Sequence, residues 1–239
     1  MIDPSIPVTC PNRLDGGPAA GPRIFVFGSA RSGTTLLLNL FRTFHDVTVL
    51  DHEHCVRELV TDPARGWLVA KRTPHCADHL DEDRPGIGDV WIVDIVRDGR
   101  DVVTSRLAPF PGYYCDFPRW QRDVHAAARL RGTHLRLLQL KYEHLAAAGD
   151  EVQAALAGIL GLRIQVPFSE HLSVVPPELS EQARSALGGL RSLSADRVDR
   201  WRRDPDARVR VAQQLAAHPG MESLLAATGY PPTGTEVHP

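Results

Sequence analysis

The sequence predicts an α/β protein of three layers, with a central parallel sheet flanked by helices. Three observations predict it. A short apolar run, Ile24-Phe25-Val26-Phe27, breaks into a turn of small residues from Gly28 to Gly33 and reopens as Thr34-Thr35-Leu36-Leu37-Leu38. That is a strand turning sharply into a helix. A second run, Val90-Trp91-Ile92-Val93-Asp94-Ile95-Val96, is apolar except for Asp94, which suits a central parallel strand covered on both faces. Strand-like and helix-like stretches alternate around these two, as a parallel sheet with crossover helices requires.

Residues 1–22 are rich in Pro, Gly and Asp and read as a flexible N-terminal arm; 23–230 read as one domain, and 231–239 as a C-terminal tail. The first strand is expected over 24–28 and the first helix over 34–44. His45-Asp46 is a turn, and the second strand, 47–50, ends in Asp51-His52-Glu53-His54. A short helix fits 56–60, and a third strand, 67–70, closes on Lys71-Arg72-Thr73-Pro74-His75. Pro74 cannot continue a ladder. The strand over 90–96 ends at Arg97-Asp98-Gly99-Arg100-Asp101, and a helix carrying Val102, Val103, Ser105 and Arg106 follows. Residues 110–117 form an aromatic loop, 120–131 a helix and 135–140 the last strand, which runs into Lys141-Tyr142-Glu143. Helices then alternate with loops, broken by Pro-Pro at 176–177 and 231–232. Ligands of such sheets bind at the carboxyl ends of the strands. The polar clusters at those ends are therefore expected to share one crevice.

Composition sets the bounds. The 239 residues suffice for one domain with a full core. A net charge of −2 supplies no polybasic field for nucleic acid. Cys10, Cys55, Cys76 and Cys115 show no metal or redox spacing and read as reduced thiols. No secretory leader and no membrane span is legible, so a cytoplasmic protein is expected.

The turn from Gly28 to Gly33 has the spacing of a P-loop, so the fold is expected to be of the P-loop type. Strand, glycine turn and helix N-terminus together aim backbone N–H groups and the positive end of the helix dipole at one point. That favours a phosphate. A nucleoside-triphosphate loop carries Lys and then Ser/Thr after its second glycine. Here Thr34 stands in the lysine's place, and the cation comes earlier, at Arg31.

Arg31-Ser32-Gly33-Thr34-Thr35 resembles the 5′-phosphosulfate loop of sulfotransferases, whose donor is 3′-phosphoadenosine-5′-phosphosulfate (PAPS). Ile95-Val96-Arg97-Asp98-Gly99-Arg100-Asp101-Val102-Val103-Thr104-Ser105 resembles the segment in which that family holds the donor's 3′-phosphate with an Arg and a Ser. The resemblance implies that role for Arg97 and Ser105. A solvated charged turn is the plainer alternative. Tyr142-Glu143 resembles the family's Tyr-Glu segment, in which the tyrosine approaches the nucleotide. Residues 194–203 resemble the late segment that folds over it. Arg197, Arg200 and Arg203 would then line one side of a helix. Together these segments extend the resemblance over about 22–230, with the bacterial-type and tyrosylprotein sulfotransferases nearest.

The implied activity moves a sulfuryl group from PAPS to a hydroxyl acceptor by in-line displacement and releases adenosine 3′,5′-bisphosphate (PAP). No metal is required. A base takes the hydroxyl proton, and fixed cations hold the charge growing on the leaving oxygens. A glutamate at the end of the second strand is the base in the tyrosylprotein branch. A gapless count from Arg31 puts His52 on that position, and an imidazole serves near neutral pH. His52 is favoured, with Glu53 second. Arg72 falls where relatives carry the charge-stabilising lysine, although Lys71 would serve chemically. Neighbours on a strand point to opposite sides, so one of the two faces the donor. His75, Phe110, Tyr113 and Tyr114 are the candidates for a small-molecule acceptor pocket. The competing reading, a P-loop kinase or NTPase, needs a lysine after Gly33 and a carboxylate for magnesium, and Asp94 is its nearest candidate. A non-catalytic nucleotide-binding relative is the third.

Overall fold

Five consecutive buried residues, Arg23–Phe27, form strand β1 at the centre of the sheet. The structure is a computed structural model that describes residues 22–62, 66–72, 90–107, 110–133 and 136–234. β2 is Val47–Glu53, β3 Trp67–Lys71, β4 Val90–Val96 and β5 Leu137–Lys141. Among the described residues they make one five-stranded sheet in the order β2-β3-β1-β4-β5, with every neighbouring pair parallel. The expected α/β architecture of a parallel sheet flanked by helices is the observed one. His75 and the turn after Arg72 lie outside the described residues, as do Cys10, Cys76 and residues 1–21 of the expected arm.

Apolar alternation explains why both faces are covered. Ile24 and Val26 of β1, with Val69, Val93 and Ile95, pack against Leu37, Leu38 and Leu40 of α1 (Thr34–Leu40) and against Leu145 and Leu156. The last two come from α5 (Tyr142–Ala147) and α6 (Gly149–Leu160). Phe25 and Phe27 point the other way. They meet Val56 and Leu59 of α2 (Val56–Thr61) and Ala126 and Ala127 of α4 (Phe117–Thr133). A strand buried on both faces reads as an uninterrupted apolar run. Downstream, α9 (Pro205–Ala217) and α10 (Gly220–Ala227) close over the N-terminal end of α4, where Met221 and Leu225 meet Phe117 and Trp120. Thr233 N–H reaches Glu222, and the Arg100 guanidinium donates to Thr233 Oγ1 (3.2 Å). The chain thus stays pinned to the body beyond Tyr230.

Three local expectations are corrected. α1 ends at Leu40 and tightens into a 3₁₀ turn, Phe41–Thr43, where Thr43 Oγ1 donates to the Leu40 carbonyl at 2.7 Å. Side-chain bonds of this kind compete with the helix ladder. The helix after β4, α3, is only Gly99–Val103. Ser105 and Arg106 lie beyond it. Thr104 Oγ1 caps the Arg100 carbonyl at 2.7 Å, and Arg106 bridges to Tyr113 instead. The stretch holding Arg197, Arg200 and Arg203 is not one helix. A 3₁₀ turn, Ala195–Arg197, and a short helix α8, Arg200–Arg203, are separated by Asp199 in the left-handed conformation (φ 54). The remaining short elements are a 3₁₀ turn, Phe168–Ser173, and α7, Glu181–Leu187.

Asp94 interrupts the apolar face of β4 at a cost that can be measured. Only 1% of it is exposed, and Gln139 Nε2 donates to its Oδ2 at 2.7 Å. Burial raises its pKa from the ordinary 3.8 to about 6, against the pull of Gln139 and Arg131. A raised carboxyl contributes stability that is complete below the unfolded value and is lost as pH climbs through the folded one. Ionisation at neutral pH thus costs on the order of 3 kcal/mol. Asp94→Asn is expected to raise the melting temperature at pH 7.5, with the gain vanishing below about pH 4. Thermal unfolding across that window checks it, and a gain independent of pH would show that the charge is not the cause.

Candidate functional site

The site begins where β1 stops. Gly28 has φ 150, and a Cβ there would stand 2.5 Å from the Ile95 carbonyl oxygen. Ser32 folds the turn shut, its N–H and Oγ donating to the Ser29 carbonyl at 3.1 and 2.6 Å. Gly33, with φ 103, is the N-cap of α1 and brings no side chain to its first turn. A Cβ on Gly33 would lie 2.7 Å from Tyr142 Cδ2, so the glycine admits the tyrosine ring beside the loop. Arg31 occupies the left-handed region at φ 72, a conformation that costs a residue with a Cβ about 1–2 kcal/mol. The surroundings hold it there. Arg31 Nε donates to Ser105 Oγ at 3.0 Å and Nη1 to the Ala186 carbonyl of α7 at 3.0 Å.

One cavity of about 640 Å³ gathers the strand ends. Arg31, Gly33, Thr34 and Thr35 of the loop line it, with Glu53 from β2, Lys71 from β3, Arg97 after β4 and Tyr142 after β5. Arg197 enters from the late segment, and Phe110 and Tyr114 from the aromatic loop. The Arg97 guanidinium lies 4.3 Å above the centre of the Tyr142 ring. It also binds two carbonyls, Arg31 O at 3.1 Å and Arg197 O at 2.7 Å, and so ties the loop to the late segment. Its Nε is buried without a hydrogen-bond partner among the described residues. Asp101 Oδ2 lies 3.6 Å from its Nη2.

Cations crowd this cavity. Burial, then the charges of Arg97 and Arg197, hold Arg31 below the ordinary arginine range. Burial, Arg191 and Arg97 act likewise on Arg197. Guanidiniums crowded in this way gain from a shared oxyanion. Glu181 and Asp196 also line the cavity, so the balance is mixed rather than wholly basic.

The charged turn after β4 is buried, against the plainer alternative of a solvated turn. Arg100 is 1% exposed and forks onto Asp98, with Nε and Nη2 at 2.9 and 2.7 Å from its two oxygens. Asp101 accepts from the Trp201 backbone N–H at 3.0 Å, and burial raises its pKa to about 6. These residues build the platform on which Arg97 stands.

At the ends of β2 and β3 the inward residues are the second choices of the sequence reading. Glu53 and Lys71 are register partners and form an ion pair of 3.2 Å, with side chains 19% and 4% exposed. His52 is exposed, and neither it nor Arg72 lines the cavity. Alternation gives the reason. Val49 and Val69 face α1, and Glu53 and Lys71 continue that face. Leu50, Leu68 and Ala70 belong to the opposite face, on whose parity His52 and Arg72 fall. Ser32 is turned back onto Ser29, and Ser105 serves Arg31 rather than the cavity. Arg200 and Arg203 are exposed, and Arg203 donates to the Val198 carbonyl at 2.9 Å. Tyr113 lies on a neighbouring pocket.

His171 was not legible as a site residue. It is 3% exposed and lines the cavity, and its Nδ1 donates to the Phe168 carbonyl at 2.9 Å. In the neutral ring that leaves Nε2 as an acceptor. Nothing in the Ser-Glu-His-Leu string announces this. Nor does any local signal place α7 over the loop.

No protein-family model matches the chain, and no curated protein does. Solved structures do. A sulfotransferase domain from the curacin biosynthetic pathway superposes with a TM-score of 0.58 at 14% identity, over 81% of this chain and 97% of that one. The sulfotransferase domain of the Synechococcus PCC 7002 olefin synthase gives 0.56 at 15%, over 85% and 98%. Mouse sulfotransferase SULT7A1 complexed with PAP gives 0.51 at 14%, over 88% and 89%. The shared property at these identities is the fold.

Proposed function

We propose that this chain is a PAPS-dependent sulfotransferase acting on the hydroxyl of a small molecule. The observation that carries the reading is the convergence, in one cavity, of the glycine loop, the guanidiniums of Arg31, Arg97 and Arg197 and an ion-paired carboxylate–lysine couple. The fold shared with sulfotransferases, one of them a PAP complex, supports it.

In this reading, Arg31 and the backbone of Ser32, Gly33, Thr34 and Thr35 hold the 5′-phosphosulfate. Arg97 and Arg197 hold the 3′-phosphate, and Tyr142 packs beside the nucleotide. Ser105 acts through Arg31, which it orients. The acceptor enters against Phe110 and Tyr114. Glu53 takes the hydroxyl proton as the acceptor oxygen bonds to sulfur. The bond from sulfur to the bridging oxygen breaks, and the negative charge passes to the leaving 5′-phosphate. Lys71 and the loop N–H groups meet that charge where it grows. This chemistry needs no metal.

The kinase reading fits less well, since Asp94 is engaged by Gln139 away from this cavity. No helix among the described residues is long and apolar enough to cross a membrane. The reading is tested by incubating the chain with labelled PAPS and a panel of phenols and alcohols in EDTA, and with ATP and magnesium in parallel. Label transfer in EDTA is expected. ATP turnover without PAPS turnover would overturn it.

A further inference from the structure

A second pocket, of about 330 Å³, lies beside the aromatic loop. Arg119 and Arg122 of α4 and Arg210 of α9 line it, with Tyr113, Tyr114 and Asp116. Arg119 Nε and Nη2 and Arg210 Nε are sealed from solvent and have no hydrogen-bond partner among the described residues. Those three atoms are closed to any ligand, so the donors the pocket offers are the Arg122 guanidinium and the Nη atoms of Arg210. The guanidinium of Arg119 sits 4.8 Å over the Tyr114 ring and that of Arg210 5.2 Å over the Tyr113 ring. Stacking of this kind fixes the guanidinium planes, and Arg119 Nη1 donates to the Tyr114 carbonyl at 3.5 Å. The one carboxylate among the lining residues, Asp116, accepts from the Arg119 backbone N–H at 3.0 Å. Three cations thus face one anion.

We infer that this pocket is a second oxyanion site for a phosphate- or sulfate-class group, parted from the donor cavity by Tyr114, which lines both. Forked guanidiniums match such groups by paired hydrogen bonds. The group is either the anionic end of the acceptor, whose hydroxyl reaches past Tyr114, or a free inorganic anion. The acceptor arm rests on the sulfuryl-transfer reading; the site itself does not.

Calorimetry with inorganic pyrophosphate on the full chain tests it. Arg122→Gln/Arg210→Gln is expected to lose one binding phase, at least about tenfold in affinity, and Arg97→Gln to keep it. Should the double variant melt early, Arg122→Gln alone, at an exposed position, is expected to weaken the same phase about threefold. Isotherms of the folded variants that overlay the wild type would overturn the inference. With 1,6-hexanediol and 6-hydroxyhexyl phosphate as probes, displacement of pyrophosphate by the phosphate ester alone assigns the group to the acceptor. Diol sulfation stimulated by inorganic phosphate, and lost in the double variant, assigns it to a free anion. Absence of all turnover counts against the sulfuryl-transfer reading and leaves the isotherms to decide the site.

Discussion

Glu53→Gln is expected to lower kcat for sulfuryl transfer by about 10²–10⁴-fold, while His52→Ala leaves it within about twofold. The two residues are neighbours on β2, but only Glu53 lies in the cavity, 3.2 Å from Lys71 Nζ. Glutamine keeps the length of the side chain and an oxygen for Lys71, and loses the capacity to take a proton. Donor affinity should change far less than kcat, because proton removal belongs to the transition state. Thermal unfolding of Glu53→Gln controls for the charge left on buried Lys71. A large kcat loss in His52→Ala, with Glu53→Gln still active, would return the role to the imidazole.

Arg97→Gln should weaken PAP binding by about 10²-fold, as the loss of a charged, forked contact does. Adenosine 5′-phosphosulfate, which lacks the 3′-phosphate, should lose only a few-fold. The difference between the ligands matters because Arg97 also works structurally. It bonds the Arg31 and Arg197 carbonyls and stacks on Tyr142. If that scaffolding were its whole role, both ligands would suffer alike, and equal losses would remove Arg97 from the 3′-phosphate.

What was legible in the sequence is what local chemistry dictates. β4 was placed to the residue by its apolar run. The glycine turn was placed because positive φ at Gly28 and Gly33 leaves little choice. Arg97 followed from its position at a strand end.

Orientation at the strand ends was not legible. Counting along β2 and β3 favoured His52 and Arg72, and each inward residue is one place away. Which parity faces α1 depends on helix packing, and the irregular pairing between Val49 and Glu53 defeats a gapless count. Asp199 misled for another reason. A left-handed residue without glycine leaves no punctuation in the sequence, so the arginines at 197, 200 and 203 looked like one stripe. Ser105 was displaced because the helix before it stops at Val103.

Titration of the full chain with adenosine 3′,5′-bisphosphate by calorimetry reaches the premise shared by all these roles. Binding at one site per chain, with a dissociation constant in the micromolar range or below (about −8 kcal/mol or stronger), is the predicted result. No heat up to about 1 mM ligand would mean that the cavity is not a bisphosphonucleotide site.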